Sequence, residues 1–317
     1  MSFEAVNGSC EQAQVNIDAL SSWSENQRSE EQNLGCNYQP VLSDKCRVEI
    51  TNCVPDQVRQ YQSTNPVVKG PNCWNLALVM RGLVPSLRWS SPEEMSFFMS
   101  SSLCRPLEPN EQRKAGDIIA IRENDFKNGG DVVENHGLIY ISEDLVYSKN
   151  DLTHTAPYAI QSFDEVMRRY SVSEEESCRT NRSDASCWLD TSFYRCEESL
   201  DEYLLSNPPS FALESALENL GQFETCMEQK LFSQFQFSDE GFSNLEDSVA
   251  ILIHFLNESK SNSSALGEND RFVLGVVQLR LDAIKGQFSI ARDPLLEDRM
   301  NHLARALEQA SEEITDQ

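Results

Sequence analysis

The chain has 317 residues, enough for one large or two medium-sized domains, and its 15 Phe and 4 Trp residues can supply a hydrophobic core. Its formal net charge at pH 7 is −25, so its surface repels phosphate groups, which argues against nucleic acid and anionic membranes as partners. A basic protein partner could still bind to such an acidic surface. The apolar stretches are far shorter than the roughly 20 residues that cross a bilayer, so we expect no membrane span.

Ten cysteines are many for a cytosolic enzyme. Neither of the two cysteine clusters contains a C-x-x-C pair, so the spacing of a structural zinc site is absent, and we expect neither a metal nor another cofactor. Disulfides formed in an oxidising compartment account better for this content. The clusters are Cys36, Cys46 and Cys53, and Cys178, Cys187 and Cys196.

The first residues, MSFEAVNGSC, lack the basic and apolar regions of a signal peptide. Because the cysteine content argues for export, we expect an exported protein, periplasmic or extracellular, whose signal peptide is absent from this chain. Residues 1–35 are rich in Ser, Asn, Gln and Glu and predict a loosely ordered polar arm. Residues 36–72 predict an irregular, cross-linked lead-in, in which VPDQVRQYQ forms one short helix beginning near Asp56.

Two helices are predicted between residues 73 and 105. The segment PNCWNLALVMRG predicts a helix from Cys73 to Gly82, because its proline and asparagine stand where helices begin and its glycine where they end. The segment SPEEM predicts the start of a second helix at 91–101. Its serine can cap the helix, its proline suits the first turn, and two glutamates favour the positive helix end.

Strand patterns follow between residues 116 and 160. The short apolar runs GDIIAIR at 116–122, HGLIYI at 136–141 and LVYS at 145–148 predict three strands. The last two are joined by the tight turn Ser-Glu-Asp and predict an antiparallel hairpin. The polar segment 124–135, which contains two adjacent glycines, predicts a loop. A helix is predicted at 162–170, before the second cysteine cluster.

Apolar residues recur at helical spacing in the last 120 or so residues and predict four helices in an antiparallel bundle. The last helix is expected to be capped by Asp293 and to begin with Pro294. Residues 257–270 predict a flexible connector within the bundle. The predicted fold class is therefore α+β, with a polar arm at 1–35, a cysteine-rich catalytic-type domain at 36–196 and an α-helical domain at 197–317.

Cys73 and His136 are the candidates for nucleophilic chemistry. Cys73 stands at a predicted helix N-terminus, whose partial positive charge stabilises a thiolate and whose backbone N–H groups can hold an oxyanion. His136 is predicted at a strand start directly after a polar loop, where a base can face a cleft. Taken alone, such a cysteine is more often half of a disulfide and such a histidine is more often structural. The motifs that surround the two residues in the sequence strengthen the case for a catalytic pair.

These motifs occur in the order Asn72-Cys73 at a helix start, Gly116-Asp117 before a strand, and then His136-Gly-Leu-Ile-Tyr. Cys73 and Gly116 are 43 residues apart, and Gly116 and His136 are 20 residues apart. Residues 65–160 thereby resemble the NlpC/P60 and CHAP cysteine peptidases and amidases. The resemblance implies a papain-like core in which a helix carrying the cysteine precedes an antiparallel sheet. It also implies that Cys73 attacks an amide carbonyl in peptidoglycan or a similar peptide and that His136 takes and returns the proton.

In the resembled family a third polar residue orients the imidazole from the strand after the histidine strand. Ser148 and Asn150 match that region equally well, and both stay candidates. The neighbouring residues Asn72, Trp74 and Lys149 are candidates for substrate binding, although Asn72 is also a natural helix cap. Two alternatives remain open: a catalytically inactive binding or inhibitory protein on the same scaffold, and a thiol-based acyl transferase.

Overall fold

The structure is a computed structural model that describes residues 2–4, 10–26, 37–42, 45–49, 54–62, 66–125, 131–153, 155–170, 189–232, 239–261, 266–291 and 294–315. Within this part of the chain the protein is of mixed α and β structure, which confirms the predicted α+β class. It divides into two compact units, described separately below. The first, the sheet unit, comprises residues 1–65, 99–150 and 156–197, and the second, the helical unit, comprises residues 66–98, 151–155 and 198–317.

The sheet unit contains a six-stranded sheet with the order β4-β9-β5-β6-β7-β8, in which all neighbours are antiparallel. A smaller sheet has the order β1-β3-β2 and is also antiparallel. The strands are β1 (Ser2–Glu4), β2 (Asn37–Leu42), β3 (Lys45–Glu49), β4 (Cys104–Pro106), β5 (Ile118–Asp125), β6 (Asp131–Tyr140), β7 (Leu145–Lys149), β8 (Tyr158–Ser162) and β9 (Leu189–Cys196).

Among the described residues of this unit, three helices accompany the sheets: α1 (Cys10–Asn26), α2 (Asp56–Gln62) and α5, which covers residues 163–170. The core on one sheet face combines aliphatic and aromatic side chains from four elements, since alternate strand residues point to the same face. It contains Ile119, Ile121, Leu138, Tyr140, Val146 and Val166. The predicted helices at Asp56 and at 162–170 are thus present, and β6 and β7 confirm the predicted hairpin.

The structure corrects the prediction of a loosely ordered polar arm at residues 1–35. Residues 10–26 form helix α1, which buries Ile17, Leu20 and Trp23 at successive intervals of three residues. Its Trp23 ring lies 6.0 Å from the ring of Tyr147 in β7, and Asn16 accepts a 2.7 Å hydrogen bond from the hydroxyl of Ser142. The apolar face of α1 is narrow, and the largely polar composition of the segment did not indicate it.

Two further predictions about the sheet unit were wrong. The irregular lead-in at 36–72 contains strands β2 and β3, and much of the predicted loop at 124–135 belongs to β5 and β6. The long hairpin continues because the residues of the two strands stay paired in register, as Glu123 does with Val133 and Asn124 with Val132. Strand pairing satisfies the backbone whatever the side chains are, so polar composition alone does not end a strand.

A disulfide joins Cys104 in β4 to Cys196 in β9, and the two residues also face each other in strand register. Both side chains are buried. This confirms that the chain forms at least one disulfide, as its cysteine content predicted. The remaining cysteines of the two predicted clusters lie outside the described residues or have side chains that are not described.

The helical unit contains α3 (Cys73–Met80) and the part of α4 (Pro92–Ser100) that ends at Phe98. It also contains five later helices: α6 (Leu200–Ser206), α7 (Phe211–Phe232), α8 (Asp239–Ser261), α9 (Glu268–Ala291) and α10 (Pro294–Thr315). Helices α7 and α10 each pack against both α8 and α9. The four long helices match the predicted number, but α8 and α9 extend into the predicted connector at 257–270, of which residues 262–265 are not described.

The chain passes from the sheet unit to the helical unit after residue 197, next to the predicted domain boundary, whereas residues 66–98 group with the C-terminal helices rather than with the strands. No helix among the described residues is both long and apolar enough to cross a membrane.

Candidate functional site

Helix α3 begins at Cys73, as predicted, and its start is fixed by Asn72. The side-chain oxygen of Asn72 accepts a 3.0 Å hydrogen bond from the backbone N–H of Asn75, so Asn72 is the N-cap residue. The amide nitrogen of the same side chain donates to the carbonyl oxygen of Ser90 at 2.7 Å. Both ends of the Asn72 amide are therefore occupied by structural hydrogen bonds, and its role is that of a cap.

Cys73 carries a thiol and is not disulfide-bonded. Its side chain is buried, with 9% of the residue accessible. The first turn of a helix presents backbone N–H groups and a partial positive charge, which stabilise a thiolate. Trp74, the next residue, is half-buried, and its indole nitrogen has no hydrogen-bond partner among the residues that the structure describes.

Behind this helix start lies a buried polar network that the sequence did not indicate. Asn75, which is fully buried, accepts a 3.0 Å hydrogen bond from the backbone N–H of Arg88. Its amide nitrogen donates to the carbonyl of Ser86 and to the hydroxyl of Ser90, both at 3.3 Å. Asn72 and Asn75 thus anchor the first turn of α3 to the segment 86–90, which leads into α4.

Arg88 continues the network into the long helices. Its guanidinium donates two hydrogen bonds to Glu94, at 2.9 and 2.6 Å, and a third to Glu224 of α7 at 2.7 Å. Arg280 of α9 also binds the Glu224 carboxylate. Arg88, Glu94 and Glu224 are fully buried and Arg280 nearly so. We call these four residues the buried ion network.

The charges in this network compensate one another. Burial alone would raise the pKa of Glu224, but Arg280 and Arg88 hold that pKa below its usual value. Burial would likewise lower the pKa of Arg88, yet Glu94 and Glu224 raise it. The Glu224 carboxylate and the Arg88 guanidinium are therefore both ionised, and the removal of one partner would leave a buried charge uncompensated, at a cost of about 3–5 kcal/mol.

Gln287 of α9 binds the backbone of two segments, one before Cys73 and one after it. Its side-chain nitrogen donates to the carbonyl oxygen of Lys69 at 2.8 Å, and its side-chain oxygen accepts from the backbone N–H of Trp89 at 2.8 Å. The approach is so close that a Cβ on Gly70 would lie 2.0 Å from the Gln287 side-chain oxygen. Only glycine fits at position 70 without displacing this bridge.

His136 belongs to the sheet unit, and its predicted place at a strand start was wrong. Strand β6 begins at Asp131, and His136 lies inside it, opposite Ile121 of β5. The register changes immediately before it, because Ile121 pairs with His136 whereas Arg122 pairs with Glu134. Asn135 is therefore an extra residue, a β-bulge of the kind that redirects the neighbouring side chain.

The His136 ring is buried, with 1% of the residue accessible, and stacks on the Tyr170 ring at a centroid distance of 4.0 Å. Neither ring nitrogen has a hydrogen-bond partner among the described residues. Burial, and secondarily the charge of Arg169, lower the pKa of His136 to about 3. The ring is therefore neutral at physiological pH. In this neutral form the ring can accept a proton, but its pKa is lower than that of an effective general base.

The two candidates for the third residue are hydrogen-bonded to each other. The Ser148 hydroxyl donates to the side-chain oxygen of Asn150 at 3.1 Å. Gln161 of β8 donates to Ser148 at 2.6 Å and accepts from Asn150 at 2.9 Å, which closes a three-residue ring. Since both nitrogens of His136 lack partners within the described residues, neither candidate orients the imidazole in this structure. The sequence did not indicate Gln161.

Lys149 is fully buried rather than exposed. Its ammonium group lies 5.6 Å from the centre of the Tyr158 ring, a cation–π contact between neighbouring strands. A side chain in this position holds β7 to β8 and does not face solvent. The structure thus groups Asn72, Cys73 and Trp74 in the helical unit, and His136, Ser148, Lys149 and Asn150 in the sheet unit.

Comparison with known proteins gives no relative for this chain: no family model, no curated protein and no solved structure matches it.

Proposed function

We propose that the protein is an exported thiol hydrolase that cleaves an amide bond, with Cys73 as the nucleophile, His136 as the base and a papain-like catalytic core. One observation carries the proposal. Cys73 keeps its thiol at a capped helix N-terminus, whereas Cys104 and Cys196 of the same chain are joined in a disulfide. This contrast argues against the alternative interpretation of Cys73 as half of a disulfide.

In the proposed reaction His136 takes the proton of the Cys73 thiol, and the resulting thiolate attacks the amide carbonyl carbon and forms a tetrahedral oxyanion. In the first turn of α3 the N–H groups of Asn75 and Leu76 already donate to Asn72, so the backbone N–H of Trp74 is the donor that we assign to the oxyanion. The C–N bond then breaks, the amine leaves with a proton from His136, and water hydrolyses the thioester as His136 accepts the water's proton.

The proposed substrate is the peptide of peptidoglycan. This assignment rests on the resemblance of residues 65–160 to the NlpC/P60 and CHAP enzymes. The disulfide supports the location that such a substrate requires, since disulfides persist in the periplasm and outside the cell.

Two measurements test the proposal. Purified peptidoglycan is incubated with the protein, with Cys73→Ala and with Cys226→Ala, which removes the second described thiol, and the soluble fragments are compared. We expect the unmodified protein and Cys226→Ala to release the same fragments and Cys73→Ala to release none. We also expect iodoacetamide near neutral pH to label Cys73 before Cys226. Identical fragment profiles for all three proteins would refute the cell-wall hydrolase.

A second candidate function is a binding or inhibitory protein that has kept the scaffold without turnover. The observation that favours it is the state of His136, which is buried, lacks hydrogen-bond partners among the described residues and has a lowered pKa. The same peptidoglycan preparation distinguishes the two functions. If the protein and Cys73→Ala both cosediment with it and neither releases fragments, the binding function is correct.

A further inference from the structure

The helical unit contains a pocket that plays no part in the proposed hydrolysis. It has a volume of about 360 Å³ and is lined by the segment 89–93, one face of α9 and the first turn of α10. This volume lies within the range of roughly 300–1,000 Å³ that is usual for small-ligand sites. None of the residues proposed above for catalysis or substrate binding lines it.

Trp89 lines the pocket, and contacts to both its backbone and its ring hold it in place. The backbone N–H of Trp89 donates to Gln287 at 2.8 Å and its carbonyl accepts from Arg88 at 2.8 Å. The ring rests on the backbone of Gly286, where a Cβ would lie 2.3 Å from two ring carbons. A half-buried indole fixed in this way is a preorganised surface, so a ligand that stacks on it loses little affinity to reordering of the protein.

The charges around this indole are predominantly negative. Glu93, Asp282 and Glu297 contribute three carboxylates to the lining, and Lys285 contributes the single ammonium group. In the part of the chain that the structure describes, Glu93, Glu297 and Lys285 have no ion-pair partner. A pocket that combines an aromatic wall with an excess of carboxylates attracts cations and repels anions.

We propose that this pocket binds a small organic cation, an ammonium or guanidinium group on an apolar body. The apolar body would stack on Trp89 and contact Leu279, while the charge would lie towards Glu93 and Glu297. The cation could be a free amine or the basic side chain of a peptide, because both present the same chemistry. None of the residues that line this pocket takes part in the proposed hydrolysis, so hydrolase activity and cation binding can fail separately.

Calorimetric titration of the full chain tests the proposal with benzylammonium as the probe and benzyl alcohol as its uncharged counterpart. We expect benzylammonium to bind more tightly and its affinity to fall as salt is added. Glu93→Gln and Glu297→Gln should each weaken binding about twofold to fivefold, the range for a solvent-accessible ion pair. Glu218→Gln, an exposed carboxylate on α7, is the matched control and should leave the affinity unchanged.

Trp89→Leu should weaken the binding of benzylammonium, because it removes the ring on which the probe is proposed to stack. Because this change could disturb folding, the two glutamate variants, which alter only charge, keep the proposal falsifiable. Equal affinity for benzylammonium and benzyl alcohol would overturn it, as would the absence of any measurable heat with benzylammonium or an unchanged affinity in both glutamate variants. Titration with Nα-acetyl-lysine amide identifies the source: comparable binding indicates a peptide side chain, and binding of benzylammonium alone indicates a free amine.

Discussion

Glu224 is a fully buried carboxylate that two guanidinium groups share, those of Arg88 and Arg280. Glu224→Gln keeps the shape of the side chain but leaves two buried cations with less compensation. We predict that it lowers the free energy of unfolding by about 3–5 kcal/mol in urea denaturation. Glu218→Gln on the same helix is exposed and should stay within about 0.5 kcal/mol of the parent. Equal stability of the two variants would show that the network does not hold the helices together.

The lowered pKa of His136 makes the free energy of unfolding depend on pH. The pKa is about 3 in the folded protein against 6.5 for an unperturbed histidine, so between these values the unfolded chain binds a proton that the folded protein does not. The stabilisation is present above pH 6.5 and is lost as the pH falls, by up to about 1.4 kcal/mol per pH unit. We predict that His136→Phe, which keeps a ring against Tyr170, flattens the decline between pH 7 and 5. Parallel pH profiles would contradict this.

For individual residues, the sequence predicted those features that depend on residues nearby in the chain. The helix start at Cys73 follows from Asn72 three residues before its hydrogen-bond partner Asn75. The partner of Arg88 on α7, by contrast, is 136 positions away, and no local pattern links the two. The burial of His136 also escaped prediction, because it depends on Tyr170, which reaches the ring from another element.

Among the elements, the short strand β4 depends on its covalent link. Its three residues pair with β9, and the Cys104–Cys196 disulfide joins the two strands across 92 positions of sequence. Closure of so long a loop restricts the unfolded chain. We predict that the double variant Cys104→Ala, Cys196→Ala loses about 2–4 kcal/mol in the free energy of unfolding.

The control for this change is the double variant with and without reductant, because a reductant also acts on any other disulfide of the chain. Under the same reducing conditions the parent protein should unfold at the same denaturant concentration as the double variant. If the reductant left the parent unaffected while the double variant was destabilised, the lost stability would come from side-chain packing rather than from the cross-link.

The accuracy of the predicted elements follows from how much of each element's stability is local. Helices α2, α3 and α4 carry their own start signals and were predicted within a residue or two. Helix α1 was missed because only Ile17, Leu20 and Trp23 face the interior, in an otherwise polar segment. Strands β2 and β3 were missed because their pairing with each other, and of β3 with β1, defines them rather than their composition.

At the scale of the whole molecule, the formal charge of −25 implies self-repulsion in the compact state. We predict that added sodium chloride raises the midpoint of thermal unfolding at pH 7, since it screens repulsion between surface carboxylates. Sodium sulfate at the same ionic strength should add a further increase through its effect on apolar burial. A midpoint that falls with added chloride would show that attractive surface ion pairs outweigh the repulsion.

Only one of two features of the division into units could be predicted from the sequence. The change near residue 197 follows a visible shift from strand patterns to helical ones. The membership of residues 66–98 in the helical unit does not, because it depends on Arg88, Trp89 and their partners on α7 and α9. A linear sequence shows the chemistry of such residues but not which distant helix receives them.

The bridge made by Gln287 has a thermodynamic consequence. One amide binds both the carbonyl of Lys69, four residues before Cys73, and the backbone of Trp89, the wall of the pocket. A ligand that shifts Trp89 would therefore perturb the backbone before the thiol, and a second ligand that binds reversibly at the thiol would have its affinity changed by the same factor by which it changes the affinity of the pocket. Gln287→Glu and Gln287→Leu, which keep the size of the side chain but alter its hydrogen bonds, would weaken this coupling in both directions.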